Sequence, residues 1–259
     1  MSSVPEPASP DHAVARLRAT RLAASSKPFV ARGANAQRCP RCRLVTQECI
    51  CAWRPEVPTH AGVCLLMGDI ETLKPSNTGW LIADVVPDTW AFQWSRTEVE
   101  PALQALLADP QWAPCVVFPP EYAKPGRPVA EVLPPAPGAP AGKRPLFVLL
   151  DGTWSEARKM FRKSPYLDPF PVLGLHPETA SRYRLRRSSQ DHHFCTAEVA
   201  ALCLAQAGDA RAADALDAWF DVFSAHYLGM RRQRPADRGS EAHQRLRGFL
   251  APASPAAGA

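Results

Sequence analysis

A short apolar run that ends in an acid and turns at a glycine constrains the fold more than any other feature. Residues 146–150 read Leu-Phe-Val-Leu-Leu and are followed by Asp151 and Gly152. An apolar run of this length with such boundaries is typical of a buried strand in a parallel sheet. Thr153 is then a candidate helix N-cap, and Glu156 three residues later completes a capping box. Asp151 is therefore expected at the carboxyl end of a strand and beside a helix N-terminus, where open α/β sheets bind ligands.

Segments of strand-like and helix-like pattern alternate on both sides of this block. Such alternation is typical of an α/β fold with a mostly parallel sheet and helices on both faces. The stretch 134–140 contains four prolines and is predicted to be a loop, because proline cannot donate a hydrogen bond in a central strand. Strands are predicted over residues 63–67, 89–94, 115–118, 146–150 and 172–175, and helices over 75–86, 98–107, 197–207 and 213–227.

Composition divides the chain of 259 residues into four parts. Residues 1–36 are rich in alanine, serine, proline and arginine and are predicted to form a flexible N-terminal arm, although residues 12–21 have a helical pattern. Residues 37–60 contain half of the cysteines and are predicted to form a small zinc-binding module. Residues 61–230 are predicted to form the α/β domain, and residues 231–259 a C-terminal tail.

Features that the sequence lacks exclude several classes of protein. No apolar run approaches the roughly 20 residues of a membrane helix, and residues 1–6 lack the charged start and apolar stretch of a signal peptide. We therefore expect a cytoplasmic protein with no membrane partner. The patterns G-x-x-x-x-G-K-[ST], G-x-G-x-x-G after a strand and G-x-S-x-G are also missing, which argues against a P-loop NTPase, an ordinary dinucleotide-binding site and a serine hydrolase.

Positive charge is concentrated in the middle of the chain. The net charge is +5, yet residues 143–187 contain ten lysines or arginines and only four acids. Clustered arginine is the electrostatic footprint of phosphate binding, so this segment favours a polyanion partner. An ordinary solvated face is the alternative interpretation.

Four cysteines lie close enough in sequence to bind one metal ion. The pattern is C-x-x-C followed after six residues by C-x-C, and four thiolates in tetrahedral geometry suit structural zinc. An iron–sulfur cluster and free or redox-active thiols remain alternatives, whereas disulfides do not fit a cytoplasmic protein. The predicted ligands are Cys39, Cys42, Cys49 and Cys51, and the remaining cysteines are expected in the core.

A polar block directly after the first predicted strand suits a zwitterionic ligand. It runs from Asp69 to Gly79 and combines acids, a cation, an amide and hydroxyls at the start of a helix. Lys74 and helix N–H groups can bind a carboxylate, and Glu71 or Asp69 can bind an ammonium group. Asn77 and Thr78 complete the polar set. An ordinary capped loop is the alternative.

The turn at Asp151 joins an acid, an aromatic ring and a basic helix face. Asp151 is a candidate general base or hydrogen-bond acceptor, and otherwise a simple turn residue. Trp154 can stack on a ligand ring, although tryptophan is more often a core residue. The cations that follow recur at helical spacing and form one face suited to phosphates: Arg158, Lys159, Arg162 and Lys163.

A third block carries more arginines and a second polar helix start. Arg182, Arg184 and Arg186 suit phosphate binding. Thr196 and Glu198 open a predicted helix and can place a hydroxyl and a carboxylate in the same pocket. The adjacent histidines 192 and 193 do not favour a second metal site, because neighbouring residues of a helix point in different directions.

Several of these blocks together resemble a known family. Residues 151–154, Asp-Gly-Thr-Trp, resemble the D-x-T-W signature of the DTW-domain proteins. The four-cysteine head, the Pro-Ser-Asn-Thr-Gly stretch at 75–79 and the blocks at 183–186 and 195–198 match the family in the expected order. The resemblance spans about residues 38–228. Within the family, the chain is similar to bacterial tRNA-uridine aminocarboxypropyltransferases.

The resemblance implies a fold, a cosubstrate and a reaction. The implied fold is a SPOUT-like, knotted α/β domain that binds S-adenosylmethionine. The implied reaction transfers the 3-amino-3-carboxypropyl group to N3 of a uridine in the tRNA variable loop and releases methylthioadenosine. The zinc-binding module would then bind another part of the RNA. The alternatives are an S-adenosylmethionine-dependent RNA methyltransferase and a non-catalytic zinc-containing RNA-binding protein.

Roles for individual residues follow from fitting this chemistry to the blocks above. Asp151 is the first candidate for the general base and Asp69 the second. The expected donor-binding residues are Glu71, Lys74, Asn77, Thr78, Thr153, Trp154, Thr196 and Glu198. The expected RNA-binding residues are Arg158, Lys159, Arg162, Lys163, Arg182, Arg184 and Arg186.

Overall fold

One parallel sheet forms the centre of the protein. The structure, a computed structural model, describes residues 12–26, 29, 36–131, 142–175 and 194–250. Its six strands lie in the order β2-β1-β5-β3-β6-β4, and all five neighbouring pairs are parallel. This confirms the α/β class and the parallel sheet. The strands are β1 (Gly62–Met67), β2 (Thr89–Gln93), β3 (Trp112–Val117), β4 (Val129–Ala130), β5 (Arg144–Asp151) and β6 (Val172–Leu173).

Seven α-helices are present in the described parts of the chain. They are α1 (Ala13–Ala23), α2 (Gly79–Val85), α3 (Pro101–Ala108), α4 (Trp154–Lys163), α5 (Thr196–Gln206), α6 (Ala210–Arg231) and α7 (Glu241–Arg247). The helix predicted over residues 75–86 begins later than expected, at Gly79. Residues 75–78 form a loop instead, in which the side-chain oxygen of Asn77 accepts a hydrogen bond from the Trp80 backbone N–H at 3.0 Å.

The central strands bury both of their faces. In β1, Val63, Leu65 and Met67 belong to a core with α2, α5 and α6, whereas Cys64 and Leu66 belong to a second core with α3 and α4. All six residues of this strand are buried. Side chains of a strand alternate between its two faces, so a continuous apolar run is what a sheet covered on both sides requires.

Helix α1 packs against the domain at the level of the polar loop after β1. Arg18 donates hydrogen bonds to the carbonyls of Thr72 and Leu73, at 3.1 and 2.8 Å. Arg21 forms a bidentate ion pair with Asp69, at 2.8 and 3.1 Å. The helical pattern of residues 12–21 thus corresponds to a helix with tertiary contacts. The division of the chain into four parts stays a prediction.

A buried pair of histidines joins the cysteine-containing segment to the last two helices. The Nε2 atoms of His226 in α6 and His243 in α7 share a hydrogen bond of 3.0 Å. His226 Nδ1 lies 2.7 Å from a carboxylate oxygen of Glu48, and His243 Nδ1 lies 2.8 Å from the Ser240 hydroxyl. Each of the four ring nitrogens therefore lies within 3.0 Å of a polar atom. Burial is the main cause that lowers the pKa of each histidine.

This pair predicts a loss of stability in mild acid. Below the unfolded-state pKa of about 6.5, the unfolded chain takes up protons that the folded chain excludes, so the free energy of unfolding falls as the pH drops towards the lowered folded-state values. His243→Gln is expected to make this fall shallower. Urea unfolding of both proteins from pH 8 to pH 5 measures the effect. Identical slopes for the variant and the wild type would contradict it.

Candidate active site

Asp151 ends strand β5 and lies at the centre of a buried polar cluster. It is opposite Met67, the last residue of β1, and is only 3% exposed. One carboxylate oxygen accepts a hydrogen bond from the Asn77 amide, and the other accepts one from the Thr196 hydroxyl, both at 2.6 Å. The cluster joins the loop after β1, the end of β5 and the start of α5. Three blocks that are far apart in sequence thus meet at the carboxyl edge of the sheet.

A second carboxylate lies on the other side of Asn77. Glu71 is 2% exposed and accepts a hydrogen bond from Lys74 at 2.6 Å. The Asn77 amide also lies 3.4 Å from the other oxygen of Glu71, so it contacts both acids. A buried acid beside a half-buried lysine presents one negative and one positive group to the same space. This pair suits the ammonium and carboxylate groups of an amino acid.

Gly79 brings helix α2 against Asp151. A Cβ atom built on Gly79 would lie 2.6 Å from the nearer carboxylate oxygen and 3.4 Å from the Asn77 side-chain oxygen. The first of these separations is shorter than real Cβ atoms show, so glycine is required at this position for the close approach.

We expect Gly79→Ala to impair the site. The added methyl group displaces the Asp151 carboxylate, and a misplacement of about 1 Å near reacting groups can cost roughly a hundredfold in rate. Steady-state kinetics of the variant should show at least a tenfold loss of turnover. Gly68→Ala is the matched control, because its Cβ would meet the nearest atom at 3.5 Å, an ordinary contact. Equal activity of the two variants would show that the close contact between Gly79 and the Asp151 carboxylate is not needed.

Two of the residues predicted to bind the donor, Thr78 and Glu198, accept hydrogen bonds from backbone groups. The Thr78 hydroxyl accepts a hydrogen bond from the backbone N–H of Ala197 at 3.4 Å. The Glu198 carboxylate accepts one from the Cys195 N–H at 2.8 Å and so caps the start of α5. These contacts fix α5 against the loop after β1. They position Thr196 over Asp151.

Thr153 and Trp154 lie at the start of α4, directly after the Asp151–Gly152 turn. The capping box predicted from the sequence is present: Thr153 accepts from the Glu156 N–H at 3.3 Å, and the Glu156 carboxylate accepts from the Thr153 N–H at 2.8 Å. Trp154 is half-buried and stacks on Phe118, with ring centroids 5.4 Å apart. Tyr122 packs edge-on against the same indole.

Asp69 lies outside the Asp151 cluster. Its side chain is 59% exposed, and it binds Arg21 of α1 and the Gln93 amide of β2. The hydrogen bond from Arg21 is the main cause that lowers the pKa of Asp69. A carboxylate held ionised by an arginine is a weak proton acceptor. The structure therefore favours Asp151 over Asp69 where a general base is needed.

One exposed face of α4 carries the predicted phosphate-binding cations: Arg158, Lys159, Arg162 and Lys163. The Arg158 guanidinium lies over the Tyr122 ring at 5.1 Å, and the Lys159 ammonium lies over Trp94 at 5.6 Å. The first of these cations, Arg158, lies one turn after the start of α4. Arg182, Arg184 and Arg186 lie outside the described residues.

The four-cysteine cluster has the geometry of a tetrahedral metal site. All four Sγ atoms lie within 4.8 Å of one another, and three of the separations are 3.5, 3.7 and 3.8 Å. A tetrahedron with Zn–S bonds of about 2.3 Å has S–S edges of about 3.8 Å, so the donors fit zinc. A hydrogen bond from Cys51 is the main cause that lowers the pKa of Cys42 to about 5, which favours a thiolate ligand.

Sequence reasoning missed an arginine that connects this cluster to the polar loop. Arg43 directly follows Cys42, is 3% exposed, and donates a hydrogen bond to the Asn77 carbonyl at 3.0 Å. Burial lowers the pKa of its guanidinium to about 9. No local pattern marks an arginine between Cys42 and Leu44 as buried, because its partners come from a distant part of the chain.

Comparison with known protein families identifies the domain to which these residues belong. A family model described as the DTW domain matches residues 36–228, which include the cysteine cluster and every part of the Asp151 site. The chain belongs to the DTW-domain family. No solved structure matches the chain significantly. The DTW domain is associated with tRNA-modifying enzymes, and the family suggests a tRNA-modifying transferase. None of the described helices is long and apolar enough to cross a membrane.

Proposed function

We propose that this DTW domain transfers the 3-amino-3-carboxypropyl group of S-adenosylmethionine to N3 of a uridine in the tRNA variable loop. The observation that carries the proposal is the buried cluster of Asp151, Asn77 and Thr196 beside the Glu71–Lys74 pair. It combines a carboxylate for proton transfer with two opposite charges for an amino acid. Binding to a polyanion alone would gain nothing from buried carboxylates.

The donor chemistry explains why an amino-acid subsite is needed. Three carbon atoms adjoin the sulfonium of S-adenosylmethionine, and each can be attacked, so orientation decides which bond breaks. In the proposed pose, Lys74 binds the donor carboxylate and Glu71 accepts from its ammonium group. Asn77 contacts Glu71 and Asp151 at once and sets their spacing. The aminocarboxypropyl carbon then faces the acceptor, and methylthioadenosine leaves.

The acceptor chemistry requires a base. Uridine N3 carries a proton and becomes nucleophilic as that proton is removed. Asp151 fills this role in the proposal, because hydrogen bonds from Asn77 and Thr196 hold its carboxylate at the end of β5, in the middle of the polar cluster. The new C–N bond forms as the C–S bond breaks.

The remaining features suit a tRNA acceptor. The exposed cations of α4, the helix that follows the Asp151 turn, would bind backbone phosphates near the acceptor base. Trp154 begins the same helix and is half-buried against Phe118 and Tyr122. Cys39, Cys42, Cys49 and Cys51 would hold a structural zinc ion, which stabilises a segment too short to form its own core.

The small-molecule product distinguishes this proposal from its alternatives. The protein is incubated with S-adenosylmethionine and unmodified tRNA, and the products are identified by mass spectrometry. Methylthioadenosine that appears only with tRNA supports aminocarboxypropyl transfer. S-adenosylhomocysteine would mean methyl transfer and overturn the donor pose. Folded, zinc-loaded protein that forms neither product would favour a binding module without turnover.

A further inference from the structure

Arg43 lies between the two functional parts of the molecule. Its backbone belongs to the cysteine cluster, where its N–H donates to the Cys39 carbonyl at 2.9 Å. Its side chain leaves the cluster and ends at the polar loop, where it donates to the Asn77 carbonyl at 3.0 Å. The Lys74 carbonyl lies 3.5 Å from the same nitrogen. One residue thus contacts a metal-binding turn and the loop of the candidate donor subsite.

The environment of this side chain is unusual for a cation. The guanidinium lies 4.3 Å from the ring centroid of Trp80 and 5.5 Å from that of Phe223. Its Nε and one terminal nitrogen are buried and have no hydrogen-bond partner among the described residues. Burying a charged group whose N–H donors lack acceptors costs free energy. Exposure of this side chain to water would therefore be favourable unless the backbone of Arg43 is held in place.

The cysteine cluster holds the backbone of Arg43 in place. Arg43 follows the ligand Cys42 directly and has a positive φ of 64°, a conformation that residues with side chains rarely adopt. Such a backbone conformation persists only where surrounding contacts impose it. Backbone hydrogen bonds of the cysteine turn impose it here: the Arg43 N–H donates to the Cys39 carbonyl at 2.9 Å, and the Cys39 N–H donates to the Leu44 carbonyl at 2.8 Å. A zinc ion bound to Cys39 and Cys42 would hold the same turn in place.

We propose that Arg43 is a positioning residue that couples the four-cysteine cluster to the loop of residues 74–77. With zinc bound to the four cysteines, Arg43 stays buried and donates its hydrogen bond to the Asn77 carbonyl. Asn77 then orients Asp151 and Glu71. Without zinc, the Arg43 guanidinium moves to solvent, and the loop of residues 74–77 becomes more mobile. The consequence for donor orientation rests on the proposed function, whereas the coupling itself does not.

Amide hydrogen exchange without any donor tests the coupling. Exchange of residues 74–80 is followed in the wild type and in Arg43→Ala, each with zinc and after chelation. We expect chelation to lower protection in the wild type by at least about tenfold, which corresponds to losing a hydrogen bond to a charged group. In Arg43→Ala, protection should be low from the start and chelation should lower it little further. Equal responses of both proteins would overturn the proposal, as would no response in the wild type.

Two further variants control for a general loss of structure. Arg41→Ala removes an exposed cation from the same turn and should respond to chelation like the wild type. Arg43→Lys keeps the charge but not the fork of donors, and it should restore part of the protection if Arg43→Ala folds poorly. With zinc bound, Arg43→Lys should also raise the Kd for S-adenosylmethionine and leave the Kd for tRNA unchanged. Equal weakening of both would mean a merely structural role. If the coupling holds but no variant alters donor binding, the proposed function fails and the coupling stands.

Discussion

Asp151→Asn is expected to lower kcat for tRNA modification by about a thousandfold, within the range that general-base catalysis contributes. The amide cannot accept the N3 proton of uridine, and its NH2 group faces hydrogen-bond donors on Asn77 and Thr196. The loss should appear in single-turnover measurements at saturating donor and tRNA. The Kd for tRNA should stay within about threefold of the wild-type value, because phosphate contacts dominate that affinity.

Asp69→Asn is the matched control for this result. It removes a carboxylate that follows β1 at the same edge of the sheet, but this carboxylate is exposed and paired with Arg21. We expect kcat of Asp69→Asn to fall by less than about tenfold, because an exposed ion pair contributes little free energy. A large loss for Asp69→Asn with near-normal turnover of Asp151→Asn would reverse the assignment of the base.

Cys49→Ser is expected to remove the metal and destabilise the protein. Structural zinc contributes about 10–16 kcal/mol of apparent binding free energy in zinc-finger peptides, and three thiolates with one hydroxyl retain only part of it. We expect the free energy of unfolding to fall by more than about 3 kcal/mol. Metal content by inductively coupled plasma mass spectrometry and urea unfolding measure the two effects.

Cys64→Ala provides the control for loss of a thiol. Cys64 is fully buried in β1 and outside the cluster, so its removal costs packing but no ligand. This variant should retain one equivalent of zinc per chain and lose about 1 kcal/mol of stability, the typical cost of a point mutation. Full zinc content and unchanged stability of Cys49→Ser would contradict a four-cysteine structural site.

The parallel sheet and the place of Asp151 follow from local patterns. The apolar run before Asp151 requires cover on both faces, and the capping box at Thr153 and Glu156 marks where the next helix begins. Both features depend on residues within a few positions of one another. The structure confirms the strand, the acid at its end and the cap.

Long-range partners could not be predicted in the same way. The amide of Asn77 binds Asp151 across 74 positions, and Arg43 reaches Asn77 across 34. Local pattern places Asp69 with Asp151 because both acids follow strands, but the Asp69 side chain forms an ion pair with Arg21 of α1. Such pairings depend on how elements pack, and periodicity carries no information about them.

The measurement that tests the central claim most directly follows two labels from S-adenosylmethionine into tRNA. One donor preparation carries the label in the carboxyl carbon of its amino-acid part, and the other carries it in the methyl group. The account predicts that the carboxyl label enters the tRNA at a uridine and that the methyl label remains in methylthioadenosine. Methyl label in the tRNA, or no label from either preparation with folded, zinc-loaded protein, would contradict aminocarboxypropyl transfer.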